Sequence, residues 1–141
     1  MAFDRAEVLK RIDSVSGVIE RHAGWAEQQG RLHDRALQAL VEAQVPRLFL
    51  PASLGGLEVD PVTCALACEK LAVADTAAAW HVMVFNVARL MAAQWPQALV
   101  ELLWADDPDT LVAASGHTPL QAVPQGDGSV SYTHLTLPTK A

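Results

Sequence analysis

Between residues 4 and 29 the apolar side chains Val8, Ile12, Val15, Ile19 and Ala26 recur at alternating steps of four and three, with His22 in step. That spacing lays them along one stripe of an amphipathic helix, and Gly30 is placed to end it by taking the left-handed conformation. Asp34 is positioned as the N-cap of a second, shorter helix through Leu37, Leu40 and Val41, which Pro46 stops. Residues 47–61, RLFLPASLGGLEVDP, then break every periodicity. Two prolines, a Gly-Gly pair and an extended apolar run predict an ordered loop in which Gly55 or Gly56 takes a positive φ. Asp60 and Pro61 restart the chain, a capping carboxylate followed by a residue pre-set for the first helical position, and the third helix should reach Ala74.

The next segment, residues 75–95, reads DTAAAWHVMVFNVARLMAAQW and is apolar on nearly every side. Such a helix is either a central core helix or a membrane span. His81, Asn86 and Arg89 interrupt it at a cost that a bilayer would not tolerate, so it is expected to be the core helix. Around this helix Asn86 shares a face with Ala79, Val82, Leu90 and Ala93, His81 lies nearly opposite, and Arg89 lies at the flank; the last two are expected to mark a wetter edge. A shorter helix follows from Pro96 to Trp104 and DDPD closes it. Beyond that the character changes: residues 111–114 and 121–123 are short apolar runs, and Asp127-Gly128 is a hairpin-turn signal. The fold class is therefore mainly α, with a helical bundle domain over residues 1–108 and the first strands of a β domain over 109–128. Two short strands are not stable alone, so the sheet is expected to be truncated.

Residues 130–139, VSYTHLTLPT, reverse-translate in one frame into a widely used sequencing-library transposon adapter over ten consecutive codons. Residues 129–141 are accordingly set aside as a non-native tail, and the chain is expected to be cut short there.

Composition narrows the function classes. Of 141 residues 51% are hydrophobic and 18% charged, enough for one domain with a buried core. Ten basic against sixteen acidic residues give a net charge of -6 without a basic run, which argues against a nucleic-acid or anionic-membrane surface and for small-molecule ligands. The opening, charged from the fourth residue, has no apolar signal core, so a cytoplasmic location is expected. Cys64 and Cys68, four residues apart on one helix face, suit neither a disulfide nor a complete zinc site and are expected to be small buried side chains. The Gly-Gly loop has neither the spacing nor the lysine of a phosphate loop, and no serine stands in a nucleophile elbow.

The stretch ALQALVEAQVPRLFLPASLGGLEVDPVTCALACEKLAVADTAAAW, continued by WPQALVELLWADDPDTLVAAS, resembles the N-terminal helical domain of the acyl-CoA dehydrogenase superfamily. The shared features, in order, are a helix, a short apolar run, Pro-x-x-x-Gly-Gly, a helix ending in an acidic residue, and a small-residue run closed by tryptophan. The resemblance implies the N-terminal helical bundle of that fold, followed in the family by a β domain and a C-terminal four-helix bundle. It also implies a flavin, FAD, or FMN in the monooxygenase alternative, carried by the full-length parent as a homo-oligomer, either tetramer or dimer. In the dehydrogenase branch a glutamate removes the proton α to an acyl thioester while hydride leaves the β carbon for the flavin. A second branch holds two-component, reduced-flavin monooxygenases that hydroxylate aromatic compounds with oxygen. The main expectation is the dehydrogenase, with the monooxygenase close behind and a free-standing helical interaction module as the non-enzyme alternative. The dehydrogenases' carboxylate and the flavin-facing domains would fall beyond residue 128, so the chain itself is expected to be inactive and to hold flavin weakly or not at all.

Two departures bear on the branch. Where the dehydrogenases carry Thr-Glu-Pro and Gly-Ser-Asp, this chain reads ASGHTPLQAVPQGDG, which favours the hydroxylase branch. The hydroxylases, however, often place a histidine about two turns after the helix tryptophan, where Asn86 and Ala88 stand here. Ser115, His117 and Thr118 fall where the first β loop of the family approaches the flavin, and are candidates to hydrogen-bond it; the alternative is that they cap turns. Asn86, Val82 and Leu90 are the candidate substrate-pocket residues, the buried amide of Asn86 needing either a substrate or a loop carbonyl as partner. Apolar surface is expected to be exposed around Trp80, Phe85 and Trp95.

Overall fold

The computed structural model describes residues 4–113, 121–126 and 128–132. Five helices come first: α1 (Arg5–Gln29), α2 (Asp34–Glu42), α3 (Pro61–Ala74), α4 (Thr76–Met91) and α5 (Gln97–Trp104). A hairpin of β1 (Gln121–Gln125) and β2 (Gly128–Tyr132) follows. Single-turn 3-10 helices lie at Val45–Arg47, Ala52–Leu54 and Ala92–Gln94.

The helix ends follow local chemistry. Asp4 caps α1 by accepting the Ala6 N–H at 3.2 Å, and Gly30, at φ 66°, closes it with its own N–H on the Ala26 carbonyl at 2.9 Å. Asp60 accepts both the Val62 and Thr63 N–H groups at the start of α3, with Pro61 first in the helix. The cap of α2 is His33 rather than the expected Asp34. The Nδ1 lone pair of a neutral imidazole accepts the Arg35 N–H at 3.1 Å as a carboxylate would. Asp34 becomes the first helical residue, where its charge complements the helix dipole, and it pairs with Arg31 at 2.9 Å.

The α1 stripe is buried as its spacing predicts, with Val8, Ile12 and Ile19 at 0–1% exposure. It packs on α3 through Cys64, Ala67 and Leu71 and on α2 through Ala36 and Leu40, while α4 adds Ala78, Ala79 and Val82 to the same core. Each fully buried Val, Ile or Leu contributes about 1.5–3 kcal/mol, so this cluster dominates the stability of the domain. Cys64 is buried and Cys68 half-buried, both as free thiols. A hydrogen bond with Cys68, then burial, keeps the Cys64 thiol protonated well above its ordinary range.

α4 is a core helix on one side and, as expected around Trp80, exposes apolar surface on the other. One side carries Ala78, Val82, Asn86 and Ala88 into the protein, whereas Trp80 (63% exposed), Val87, Leu90 and Met91 face outward. Phe85 and Trp95 are half-buried, so the exposed surface centres on Trp80 and the far turn of α4. A second, smaller cluster of Leu50, Ala92 and Trp104, flanked by Trp95, Val100 and Val112, ties α5 to the loop after α2.

That loop uses both of its glycines, for different reasons. Gly55 takes φ 79°, a conformation costly for any residue with a Cβ. Gly56 passes so close to the chain that a Cβ would lie 1.9 Å from the Leu50 carbonyl oxygen. The close approach lets residues 57–59 run back along 47–50, with Leu57 N–H on Arg47 O, Glu58 N–H on Leu50 O and Val59 N–H on Leu48 O, all at 2.9–3.1 Å.

Residues 111–113 form no strand, contrary to the first apolar run's expected role, and Ala114 lies outside the described residues. β1 and β2 pair antiparallel with Val123 opposite Val130, turning through Gly126 at φ 61°. Residues 129–132, part of the segment set aside as an adapter-derived tail, thus supply most of β2. Strand propensity and a turn glycine suffice for such local pairing whatever the origin of the segment. Among the described residues no helix is long and apolar enough to cross a membrane.

Candidate functional site

The buried side of α4, the loop over residues 45–59 and the segment at 107–113 meet at one junction, and its polar groups come from all three. Asn86 is fully buried. Its Nδ2 donates to Val82 O at 2.9 Å and to Val45 O at 3.1 Å, and its Oδ1 accepts the Phe49 N–H at 3.1 Å. The amide therefore stitches the loop onto α4, satisfying two loop backbone groups that lie away from the regular helices.

Arg89, one turn further, lies not on a wetter edge but at 2% exposure. α5 and the 107–110 segment fold over that flank, a tertiary event that the helical wheel does not contain. Its guanidinium donates from Nη1 to Phe85 O at 3.2 Å and from Nη2 to Pro108 O at 3.2 Å and Thr110 O at 3.0 Å. It also lies 5.4 Å over the Trp104 ring, and the Trp104 Nε1–H donates to the same Thr110 carbonyl at 3.0 Å. Burial draws the Arg89 pKa down to about 10, against the opposing pull of Asp109. Its Nε is buried without a partner among the described residues.

A second arginine fixes the same segment. Arg47, at the end of the turn after α2, grips Asp109 through both Nε and Nη2, and its Nη1 donates to Gly55 O at 3.3 Å. The bidentate pair is mostly out of water, with side-chain exposures of 14% and 27%. The hydrogen bonds that Arg47 donates to Asp109 hold its guanidinium pKa above its ordinary range. Together Arg47, Arg89 and Trp104 clamp residues 107–110 and so fix the point from which the chain continues toward residues 114–120. Sequence reasoning missed this clamp. Its only traces were an arginine in an otherwise apolar helix and the acidic DDPD, each of which also fits a solvated surface.

Of the candidate residues, Ser115, His117 and Thr118 lie outside the described residues. Val82 is completely buried in the main core, and Asn86 is committed to the loop backbone. Leu90 is half-exposed and lines a cavity between α4, α5 and the 49–51 stretch. Among the described residues there is no cluster of three or more histidine, cysteine or carboxylate side chains able to hold a metal. The junction positions backbone; it does not itself assemble an acid, base or nucleophile.

Comparison with known proteins gives these features a family. Residues 13–96 match the acyl-CoA dehydrogenase N-terminal domain. The oxygenase subunit HsaA, a flavin-dependent monooxygenase of Mycobacterium tuberculosis, is 30% identical over 125 residues, covering 89% of this chain and 32% of that protein. The oxygenase component of p-hydroxyphenylacetate 3-hydroxylase from Acinetobacter baumannii is 28% identical over 123 residues, covering 87% of this chain and 29% of its own length. Among solved structures, XiaF from Streptomyces sp. in complex with FADH2 and glycerol superposes with a TM-score of 0.88 at 26% identity, covering 90% of this chain and 32% of that one. The HsaA monooxygenase of M. tuberculosis gives 0.83 at 27% identity, covering 91% and 35%. The chain thus spans about a third of the length of these relatives, 29–35%. With 13–96 of 141 residues matched, and with the Pro-x-x-x-Gly-Gly loop and its flanking helices in the expected order, the chain belongs to the acyl-CoA dehydrogenase N-terminal domain family.

Proposed function

We propose that the chain is the N-terminal helical domain of the oxygenase component of a two-component flavin-dependent monooxygenase, acting on a small aromatic substrate. The observation that carries this reading is its similarity, over 85–89% of its length, to oxygenase subunits of flavin-dependent monooxygenases. The sequence ASGHTPLQAVPQGDG, without the dehydrogenases' Gly-Ser-Asp, supports the same choice over the dehydrogenase first expected.

The exposed apolar side of α4 fits one wall of a flavin site: Trp80, Val87 and Met91 offer a surface that would exclude water from a flat ring system. A bound reduced flavin supplies the reaction with dioxygen, and the protein's share is placement and electrostatics. In this reading Ser115, His117 and Thr118 hydrogen-bond the flavin, FAD or FMN, and Leu90 lines the substrate side. Asn86 and Val82 act from behind, one by holding the loop and one by filling the core. The clamp on residues 107–110 would set where those polar groups start.

The test is the complete reading frame recovered from the source DNA through codon 127, expressed and assayed in two ways. Supplied with reduced flavin and oxygen, it is expected to hydroxylate a phenolic substrate. Bleaching of its flavin by an acyl-CoA under anaerobic conditions, with no oxygenation, would overturn the proposal in favour of the dehydrogenase.

A further inference from the structure

A cavity of about 150 Å³ lies between the 49–51 stretch, the end of α4 and α5. Leu50, Pro51, Val100 and Trp104 make most of its wall apolar, Ala93 stands exposed at its rim, and Arg89 is the one charged residue among the described residues that line it. An apolar cavity of roughly 150 Å³ accommodates a single benzene-sized ring. Arg89 adds a demand that a hydrocarbon would leave unmet. Among the described residues its hydrogen-bond partners are all backbone carbonyls, its Nε has none, and Asp109 is engaged by Arg47. Carbonyls, the Trp104 ring and the field of Asp109 and Asp107 offset part of the cost of a guanidinium at 2% exposure, and a carboxylate entering beside it would relieve more.

We propose that this cavity is a binding site for a one-ring aromatic carboxylate, with the ring among Leu50, Val100 and Trp104 and the carboxylate toward Arg89. A small inorganic anion would lose its water against apolar walls for one polar partner. A long acyl chain exceeds the volume. The cavity shares Leu90 with the substrate side proposed above, but it lies inside the helical domain and its occupancy is tested without flavin.

The experiment is a titration of para-fluorobenzoate into the 141-residue chain, followed by fluorine NMR and by tryptophan fluorescence. Saturable single-site binding is expected, at least tenfold tighter than para-fluorotoluene. Ala93→Phe, at an exposed position where the added ring costs the fold little, should weaken it at least tenfold while leaving the circular dichroism spectrum unchanged. Arg89→Lys, which keeps the charge but not the fork, should shrink the preference for the carboxylate several-fold. No saturable binding, equal affinity for the two ring compounds, or full binding by Ala93→Phe would each overturn the proposal. Because flavin is absent from the titration, its outcome and the oxygenation assay fail independently.

Discussion

Replacing Asn86 with leucine tests whether the loop is held by one buried amide. Leucine is of comparable size and would keep the core filled, so the change is mainly in hydrogen bonding. Three bonds vanish, at 2.9, 3.1 and 3.1 Å, but the Val82 carbonyl also belongs to the α4 ladder. The uncompensated losses are the Val45 carbonyl, in a residue at 1% exposure, and the half-buried Phe49 N–H. A buried polar group left without a partner costs about 1–3 kcal/mol, so the two together should remove about 3 kcal/mol. For a domain of this size that is a melting-temperature drop on the order of 10 °C. Urea unfolding followed by far-UV circular dichroism gives the free energy, and hydrogen exchange gives the location, because the Phe49 amide should lose its protection first. Asn86→Asp keeps the acceptor for Phe49 and loses the donors, so it should spare that amide while still destabilising through Val45. A leucine variant within about 0.5 kcal/mol of the parent, with the Phe49 amide still protected, would refute the reasoning.

Three further outcomes follow from the same structure. Gly56→Ala must displace backbone, since its Cβ would lie 1.9 Å from Leu50 O, and should cost more than about 3 kcal/mol; Gly30→Ala, at φ 66° with open space around it, should cost only about 1 kcal/mol in the same urea assay. Asp109→Asn leaves the Arg47 guanidinium, 14% exposed, without its counter-ion and should cost about 2 kcal/mol, between surface and buried pairs; a double-mutant cycle with Arg47→Met that gives no coupling would rule the clamp out. His22 stacks on His33 at 3.9 Å, and its pKa is lowered from 6.5 by partial burial and then by His33, Arg35 and Arg21. The unfolded chain then binds more protons than the folded one, so this contribution is fully present above pH 6.5 and is lost as pH falls through the lower folded value. Melting temperature should drop on acidification below that point and drop less in His22→Gln.

Much of the helical domain was legible because its signals are local. The four-three spacing of Val8 through Ala26, the Gly30 stop and the Asp60-Pro61 start each act within a turn or two of chain, and the structure keeps them. The α2 cap is equally local, but a neutral imidazole is a rarer cap than the aspartate beside it, so the sequence points to Asp34 and the structure uses His33. The errors that mattered for the site are of another kind. Arg89 reads as a surface residue by its chemistry, and only the fold of α5 and residues 107–110 over α4 buries it. Asn86 was recognised as a buried amide needing partners, but which partners it found depended on where a loop some forty residues earlier in the chain came to rest.

The sequence by itself determined the order of the five helices and most of their ends, the buried stripe of α1, the glycine-dependent loop and the family, because periodicity, caps and turns are properties of neighbours in the chain. Tertiary structure alone decided that two arginines lock residues 107–110 and that a single-ring cavity lies beside Arg89. Those outcomes depend on which surfaces meet across long sequence separations, where desolvation and hydrogen-bond geometry, rather than residue type, settle whether a charged side chain is exposed or enclosed.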